Sequence, residues 1–278
     1  MRRAYRTTGG SLVAHDQGAH LTEWVVGDTA VIWASQASEY AEGRAIRGGV
    51  PVCWPWFAAG RSGDVSPAHG FARVAPWRLV EEAVDQHSVV LAWELTGQDV
   101  RGLDGSDLFP HEFRARLQVQ VAEAATISLT VRNEDRAPFS YEAALHTYLH
   151  VGDIREARVV GLDGADYYDK VDQQERTQTG DIRFVGETDR VYTADGPVRV
   201  QDPVLERTLL IEKSGSPNTV VWNPWVDKGA AMSDFGDDEW PLMVCVEAAS
   251  VGDRAVVLEP GAEHTLSTRV RVLDESGS

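Results

Sequence analysis

Three segments carry side chains able to move protons or hold a charged ligand. The first is Tyr141-Glu142-Ala143-Ala144-Leu145-His146-Thr147-Tyr148-Leu149-His150-Val151. Strand alternation puts Leu145, Thr147, Leu149 and Val151 on one face and Glu142, Ala144, His146, Tyr148 and His150 on the other. A plain solvated face seldom carries His-x-Tyr-x-His. A sheet surface facing a ligand cleft explains it better, with His146 placed to act as acid or base near neutral pH. The second is Leu242-Met243-Val244-Cys245-Val246-Glu247, an apolar run that ends on a carboxylate. Met243, Cys245 and Glu247 share a face, so Glu247 follows apolar neighbours inward. Partial desolvation would raise its pKa and make it a better base. The alternative is a carboxylate that marks a strand end in water.

The third segment spans residues 46–77 and holds Arg47, Arg61, Arg73, His69, five glycines, four prolines and three tryptophans. It has too much Pro and Gly for a helix and is too aromatic for a disordered linker. Arg47-Gly48-Gly49 reads as a turn where backbone comes close to something. Pro51, Pro55 and Pro67 stiffen the loop that follows, and Trp54, Trp56 and Phe57 offer flat apolar walls. His69 and Arg73 then arrive on a second short element. A stiff, aromatic, cationic loop suits an anionic or polar small molecule. The bland alternative is a packed irregular loop, since large aromatics are mostly buried for packing. Weaker signals are Trp222-Asn223-Pro224-Trp225, the acidic run from Asp234 to Glu239, and Glu187-Thr188-Asp189-Arg190-Val191-Tyr192.

Other chemistries fit poorly. On a strand, His146 and His150 would stand about 13 Å apart, too far to share a metal. No ligand set of the usual spacing joins them to a carboxylate. There is no Gly-x-Ser-x-Gly elbow and no phosphate loop ending in Gly-Lys-Ser/Thr. Metal, triad-hydrolase and nucleotide-hydrolysing readings are therefore disfavoured.

The elements that must position these groups read as strands. Short β-forming runs occur at 30–34, 88–95, 114–121, 126–132, 198–200, 207–212, 218–222, 241–247, 255–258 and 265–272, separated by turn residues. No helix longer than a few turns is convincing. The pattern predicts an all-β protein, a large antiparallel β-sandwich forming one domain over residues 1–278. Residues 274–278 read as a solvated tail.

The charge balance narrows the ligand. With 26 basic against 43 acidic residues the net charge is −17, which repels nucleic acid and acidic membrane surfaces. An anionic ligand therefore needs a local arginine cluster, and the segment 46–77 supplies one. Cys53 and Cys245 both lie in apolar runs, so buried free thiols are expected rather than a disulfide. The N-terminal stretch has no apolar signal region, and no run reaches membrane-span length. A cytoplasmic protein is the expectation.

Seven segments together resemble the glucose-6-phosphate 1-epimerases, the hexose-6-phosphate mutarotase branch of the aldose 1-epimerase family. They are I-R-G-G-V-P-V-C-W-P-W-F at 46–57, H-G-F-A-R at 69–73, L-H-T-Y-L-H-V at 145–151, G-L-D-G-A-D-Y-Y-D-K at 161–170, E-T-D-R-V-Y at 187–192, W-N-P-W at 222–225 and V-C-V-E-A-A at 244–249. They run in order over most of the chain; each is short, and jointly they are specific. The resemblance implies a galactose mutarotase-like β-sandwich of the supersandwich type, and a metal-free epimerase that needs no cofactor. It implies His146 as the catalytic histidine and Glu247 as the catalytic glutamate. It implies Arg47 and Arg73 as phosphate-holding arginines, with His69 and Asp189 touching substrate. The implied partner is a sugar phosphate; the expected state of the chain is a monomer. Ala68 departs from the family, which often has a polar residue there, and bears on which sugar is preferred. Two alternatives stay open: a mutarotase of unphosphorylated aldoses, and a non-catalytic carbohydrate-binding module on the same fold.

Overall fold

The computed structural model describes residues 1–274. Two large sheets dominate, and the strand pairings between named strands are antiparallel. The first is twelve-stranded. Its path begins with the hairpin strands Arg2–Thr7 and Gly10–His15 and passes through His20–Val26 and Thr29–Ile32 to Tyr148–His150. It continues through Met243–Ser250, Asn218–Asn223, Thr188–Tyr192, Asp166–Asp169 and Gln174–Thr177. A short strand, Ala143–Leu145, branches from the central Met243–Ser250, and Val52–Cys53 pairs with it in turn. The second sheet has nine strands and is centred on Arg207–Ser214, Glu263–Asp274, Ala124–Asn133 and Phe113–Val121.

Alternation along these strands builds the main core between the sheets. Leu117, Val119, Ile127 and Leu129 from the nine-stranded sheet meet Leu149, Val221, Val244 and Val246 from the twelve-stranded one. At about 25 cal/mol per Å² of apolar surface removed from water, this layer is the chief stabilising term. The opposite face of the twelve-stranded sheet is also apolar at its centre. Trp33, Tyr148, Trp222, Phe235, Met243 and Cys245 form one cluster there, and Cys53, Phe57, Ala144, Val220, Ala249 and Val251 another. Central strands are therefore covered on both sides, which is why Met243–Ser250 is buried at every position.

The predicted strands are present, most of them with ends moved by one or two residues. Several others lacked a readable signal: the N-terminal hairpin, Arg78–Val84, and the paired Asp166–Asp169 and Gln174–Thr177. Arg78–Val84 and Gln174–Thr177 are largely exposed, so apolar alternation never marked them. Asp274 closes the long strand Glu263–Asp274 opposite Arg207, not a tail, and the rest of the predicted tail lies outside the described residues. The helix Trp225–Ala231 is short. Among the described residues, no helix is long and apolar enough to cross a membrane. Cys53 and Cys245 are free and buried.

The segment expected as one strand from Tyr141 to Val151 is divided into Phe139–Tyr141, Ala143–Leu145 and Tyr148–His150. Thr147 N donates to Leu145 O at 2.8 Å, a tight turn inside the strand. The register against Met243–Ser250 is nevertheless the same on both sides of the break, with Leu145 opposite Ala248 and Tyr148 opposite Cys245. His146 thus falls opposite Glu247.

Candidate active site

The acid and base candidates meet on the sheet face turned away from the main core. His146 Nδ1 lies 3.4 Å from Glu247 Oε1, with side chains 10% and 1% exposed. Neither His146 Nδ1 nor either Glu247 oxygen has a protein hydrogen-bond partner. They are close enough to pass a proton but lack hydrogen-bond alignment. Burial pushes the Glu247 carboxyl well above the usual carboxylate range, the nearby Asp189 adds to the rise, and Lys170 opposes it. Burial likewise pushes His146 well below the ordinary histidine value, with His69, Arg47, Arg73 and Lys170 pushing the same way. Both shifts favour the uncharged forms of the pair, with the shared proton on the carboxyl rather than on the imidazole. The sequence-based expectation of a carboxylate beside an imidazolium needs that proton moved across the pair, which adds no net charge to the site.

Ring packing fixes the histidine. The His146 ring stacks on Tyr148 with centroids 4.7 Å apart and 12° between planes. Trp222 meets it edge-on at 5.8 Å, and His69 does so at 5.6 Å. His69 sits in the left-handed backbone region at φ 65, a conformation that costs a non-glycine residue about 1–3 kcal/mol. Gly70 follows it because a Cβ there would come 2.0 Å from Trp54 O. Ala58 N donates to His69 Nδ1 at 3.3 Å, which leaves the other ring nitrogen free of that loop.

The arginines approach from the Gly-Gly turn and from the end of the segment 46–77. A Cβ on Gly48 would fall 2.3 Å from Ala34 Cα, so the turn needs glycine to bring Arg47 against the sheet. Arg47 donates to the Tyr148 hydroxyl at 3.1 Å and pairs with Asp234 at 3.1 Å. Both arginines bury an Nε without a protein partner, but Arg73 differs in that its guanidinium has no ion pair among the described residues; its charge acts on His69 and His146, and burial lowers its pKa. It is the guanidinium with charge to spare. Asp189, on the strand Thr188–Tyr192, is braced by Lys170 at 3.4 Å and Lys228 at 3.9 Å.

All six predicted site residues therefore converge. Four partners were not foreseen: Tyr148 and Asp234, which hold Arg47, and Lys170 and Lys228, which flank Asp189. The His-x-Tyr pattern and the acidic run were the available signals for the first two. Lys170 closes the resembling segment 161–170 but was given no role there, and Lys228 gave no signal. Two other expectations change. His150 shares the Tyr148 strand but does not join the cluster: its backbone carbonyl accepts from Arg207, and its own burial, then the Arg207 charge, lower its pKa. Glu142 is a structural carboxylate, accepting from Phe57 N at 3.0 Å and Gly252 N at 2.7 Å. Among the described residues no group of three His, Cys, Asp or Glu side chains is arranged to hold a metal.

Residues 5–271 match the family described as aldose 1-epimerase. The chain belongs to the aldose 1-epimerase family. Among relatives, a protein of Escherichia coli K12 provisionally named glucose-6-phosphate 1-epimerase is 37% identical over 260 residues, covering 92% of this chain and 85% of that protein. A similarly named protein of Cenchrus ciliaris is 37% identical over 262 residues, covering 88% of this chain and 76% of its own length. A crystal structure of a Salmonella typhimurium protein, provisionally called a mutarotase, superposes with a TM-score of 0.89 at 31% identity, covering 99% of this chain and 93% of that one. A galactose mutarotase-like protein of Lactobacillus casei has the same fold at 12% identity, with a TM-score of 0.74 over 98% of this chain and 100% of that one. The aldose 1-epimerase assignment agrees with the all-β, galactose mutarotase-like architecture expected from sequence.

Proposed function

We propose that this aldose 1-epimerase family member interconverts the α and β anomers of a hexose 6-phosphate, with Glu247 and His146 as the proton-transferring pair. The observation that carries the reading is their 3.4 Å approach on a buried face, with every facing heteroatom free of protein partners. Glu247, once its proton has passed to His146, takes the proton of the anomeric hydroxyl. His146 gives one to the ring oxygen. The bond between C1 and the ring oxygen breaks, the aldehyde turns about C1–C2, and the roles reverse on closure. One acid and one base suffice for these steps. Asp189 and His69 would hold sugar hydroxyls. Arg73, with Arg47 beside it, would take the phosphate, because guanidinium forks match phosphate oxygens. The free thiols and the sugar phosphate substrate suit a cytoplasmic setting.

The charge on the arginines decides between a phosphorylated and a free sugar. Anomerisation of glucose and glucose 6-phosphate should be compared by NMR exchange spectroscopy. The phosphorylated sugar is expected to have the higher kcat/KM. Arg73→Ala should cost it about 10–100-fold, the range for a lost charged hydrogen bond, and cost glucose far less. Equal rates for both sugars in the wild-type protein would overturn the phosphate reading. The pairing of Arg47 with Asp234 is the one feature that favours free aldoses, because it already neutralises one of the two guanidinium groups.

A further inference from the structure

Lysine is rare in this chain: Lys170, Lys213 and Lys228 are the only three. Two of them reach the same carboxylate from different elements. Lys170 follows the strand Asp166–Asp169, and Lys228 lies on the helix Trp225–Ala231. Lys228 is mainly engaged by Glu187 at 2.6 Å and stands 3.9 Å from Asp189. Lys170 is the closer, its Nζ 3.4 Å from Asp189 Oδ2. The backbone holds it there: Lys170 N donates to Asp189 O at 2.8 Å. The preceding residue, Asp169, accepts from Val171 N at 3.1 Å and pairs with Arg190 at 3.1 Å. The Lys170 ammonium also lies 5.2 Å from the centroid of the Phe57 ring. Phe57 in turn packs edge-on against His69 at 5.0 Å. A cation is thus fixed at one wall of the site, 30% exposed.

We infer that Lys170 is a positioning residue for this reaction: its ammonium keeps Asp189 an ionised acceptor for sugar hydroxyls and offsets negative charge beside Glu247. This rests on the proposed role of Asp189 in holding the sugar. Two carboxyls, Asp189 and Glu247, share one buried sheet face, separated by the strand Asn218–Asn223. Each raises the cost of charge on the other. Burial drives the Asp189 pKa up, Glu187 adds to the rise, and Lys170 and Lys228 oppose it. Lys170 also favours the charged form of Glu247, which Asp189 disfavours. Around the neighbouring His146, Lys170 acts together with His69, Arg47 and Arg73 to disfavour the imidazolium. Cys245, the remaining titratable group facing this cluster from the central strand, is pushed up by burial and stays a thiol. A lysine suits this task. Its compact charge can keep contact with Asp189 while leaving carboxylate lone pairs free, whereas a bidentate arginine would occupy both oxygens.

The test is steady-state kinetics of the full chain on glucose 6-phosphate across pH, with Lys170→Gln, Lys170→Arg, Asp189→Asn and the double variant Lys170→Gln/Asp189→Asn. Lys170→Gln should raise KM about tenfold, between the effect of an exposed ion pair and that of a buried one. The acid limb of its kcat/KM profile should move up by about one pH unit, because without the Lys170 charge Asp189 ionises only at higher pH and His146 takes up a proton more readily. Lys170→Arg should return the limb toward its wild-type position, and Lys170→Gln should cost much less in the Asp189→Asn background. A uniform loss of kcat at all pH values, with an unmoved acid limb and no rescue by arginine, would mean a structural role and overturn the inference. Additive losses in the double variant would overturn it as well. If wild-type protein treats glucose and glucose 6-phosphate alike, the phosphate reading falls, and the same Lys170 comparisons remain decisive when read on glucose.

Discussion

Replacing Glu247 by glutamine is expected to lower kcat for glucose 6-phosphate anomerisation by about 10²–10⁴-fold, the usual contribution of one positioned acid–base group. Sugar phosphate should still bind, with a dissociation constant close to the wild-type value. Stability should hold or increase. Glu247 is fully buried and burial favours its uncharged carboxyl, so an amide of the same shape meets no new desolvation cost. The measurement is catalysed exchange between anomers by NMR, with urea unfolding beside it. A Gln variant that keeps near-wild-type turnover would remove Glu247 from the chemistry. Unchanged turnover would also turn attention to Asp189, the other buried carboxyl of that face.

The second large effect belongs to His146. His146→Ala should also lose about 10²–10⁴-fold in kcat, and the double variant with Glu247→Gln should lose little more than either single one. Groups that act as a unit are strongly non-additive, because once one is gone the other has no partner step to support. His146 also packs against Tyr148 and Trp222, so the alanine variant should unfold at a lower denaturant concentration. Tightly retained binding together with lost turnover separates the catalytic effect from that loss. Multiplicative losses in the double variant would show two independent roles rather than one proton-sharing pair.

Which of these residues could be found in advance depended on whether alternation alone located them. Glu247 ends an apolar run, and that run is a central strand covered on both faces, so its inward course was readable. His146 was readable for its company of Tyr148 and His150, although His146 itself lies in the break between two strands and His150 goes elsewhere. The strands of the core share this legibility, because apolar residues repeating at period two leave one consistent placement. The outer strands do not. Gln174–Thr177 is exposed at every residue, and its strand state comes from ladder bonding to Asp166–Asp169, a tertiary fact. The lysines at Asp189 were hidden for a similar reason. Nothing local to Lys170 or Lys228 tells that a β-ladder and a helix bring both to one carboxylate. Arg47 was visible as a cation in a Gly-rich turn, but its partner Asp234 lay in an acidic run that could equally have been solvated.

The shared register of His146 and Glu247 has a consequence for how the protein fails. The two sit on facing rungs of one ladder, with Val246 N bonded to Thr147 O at 3.2 Å beside them. Their spacing is therefore a property of the most protected part of the molecule rather than of a surface loop. Local openings that fray loops and outer strands need not disturb it. On heating, loss of the proton-transfer step and global melting should fall on one curve, and the amides of Val246 and Glu247 should exchange with deuterium only through whole-molecule unfolding. Substrate capture, carried by the loop bearing Arg47 and Arg73, should weaken earlier, so that KM climbs on warming while kcat still rises.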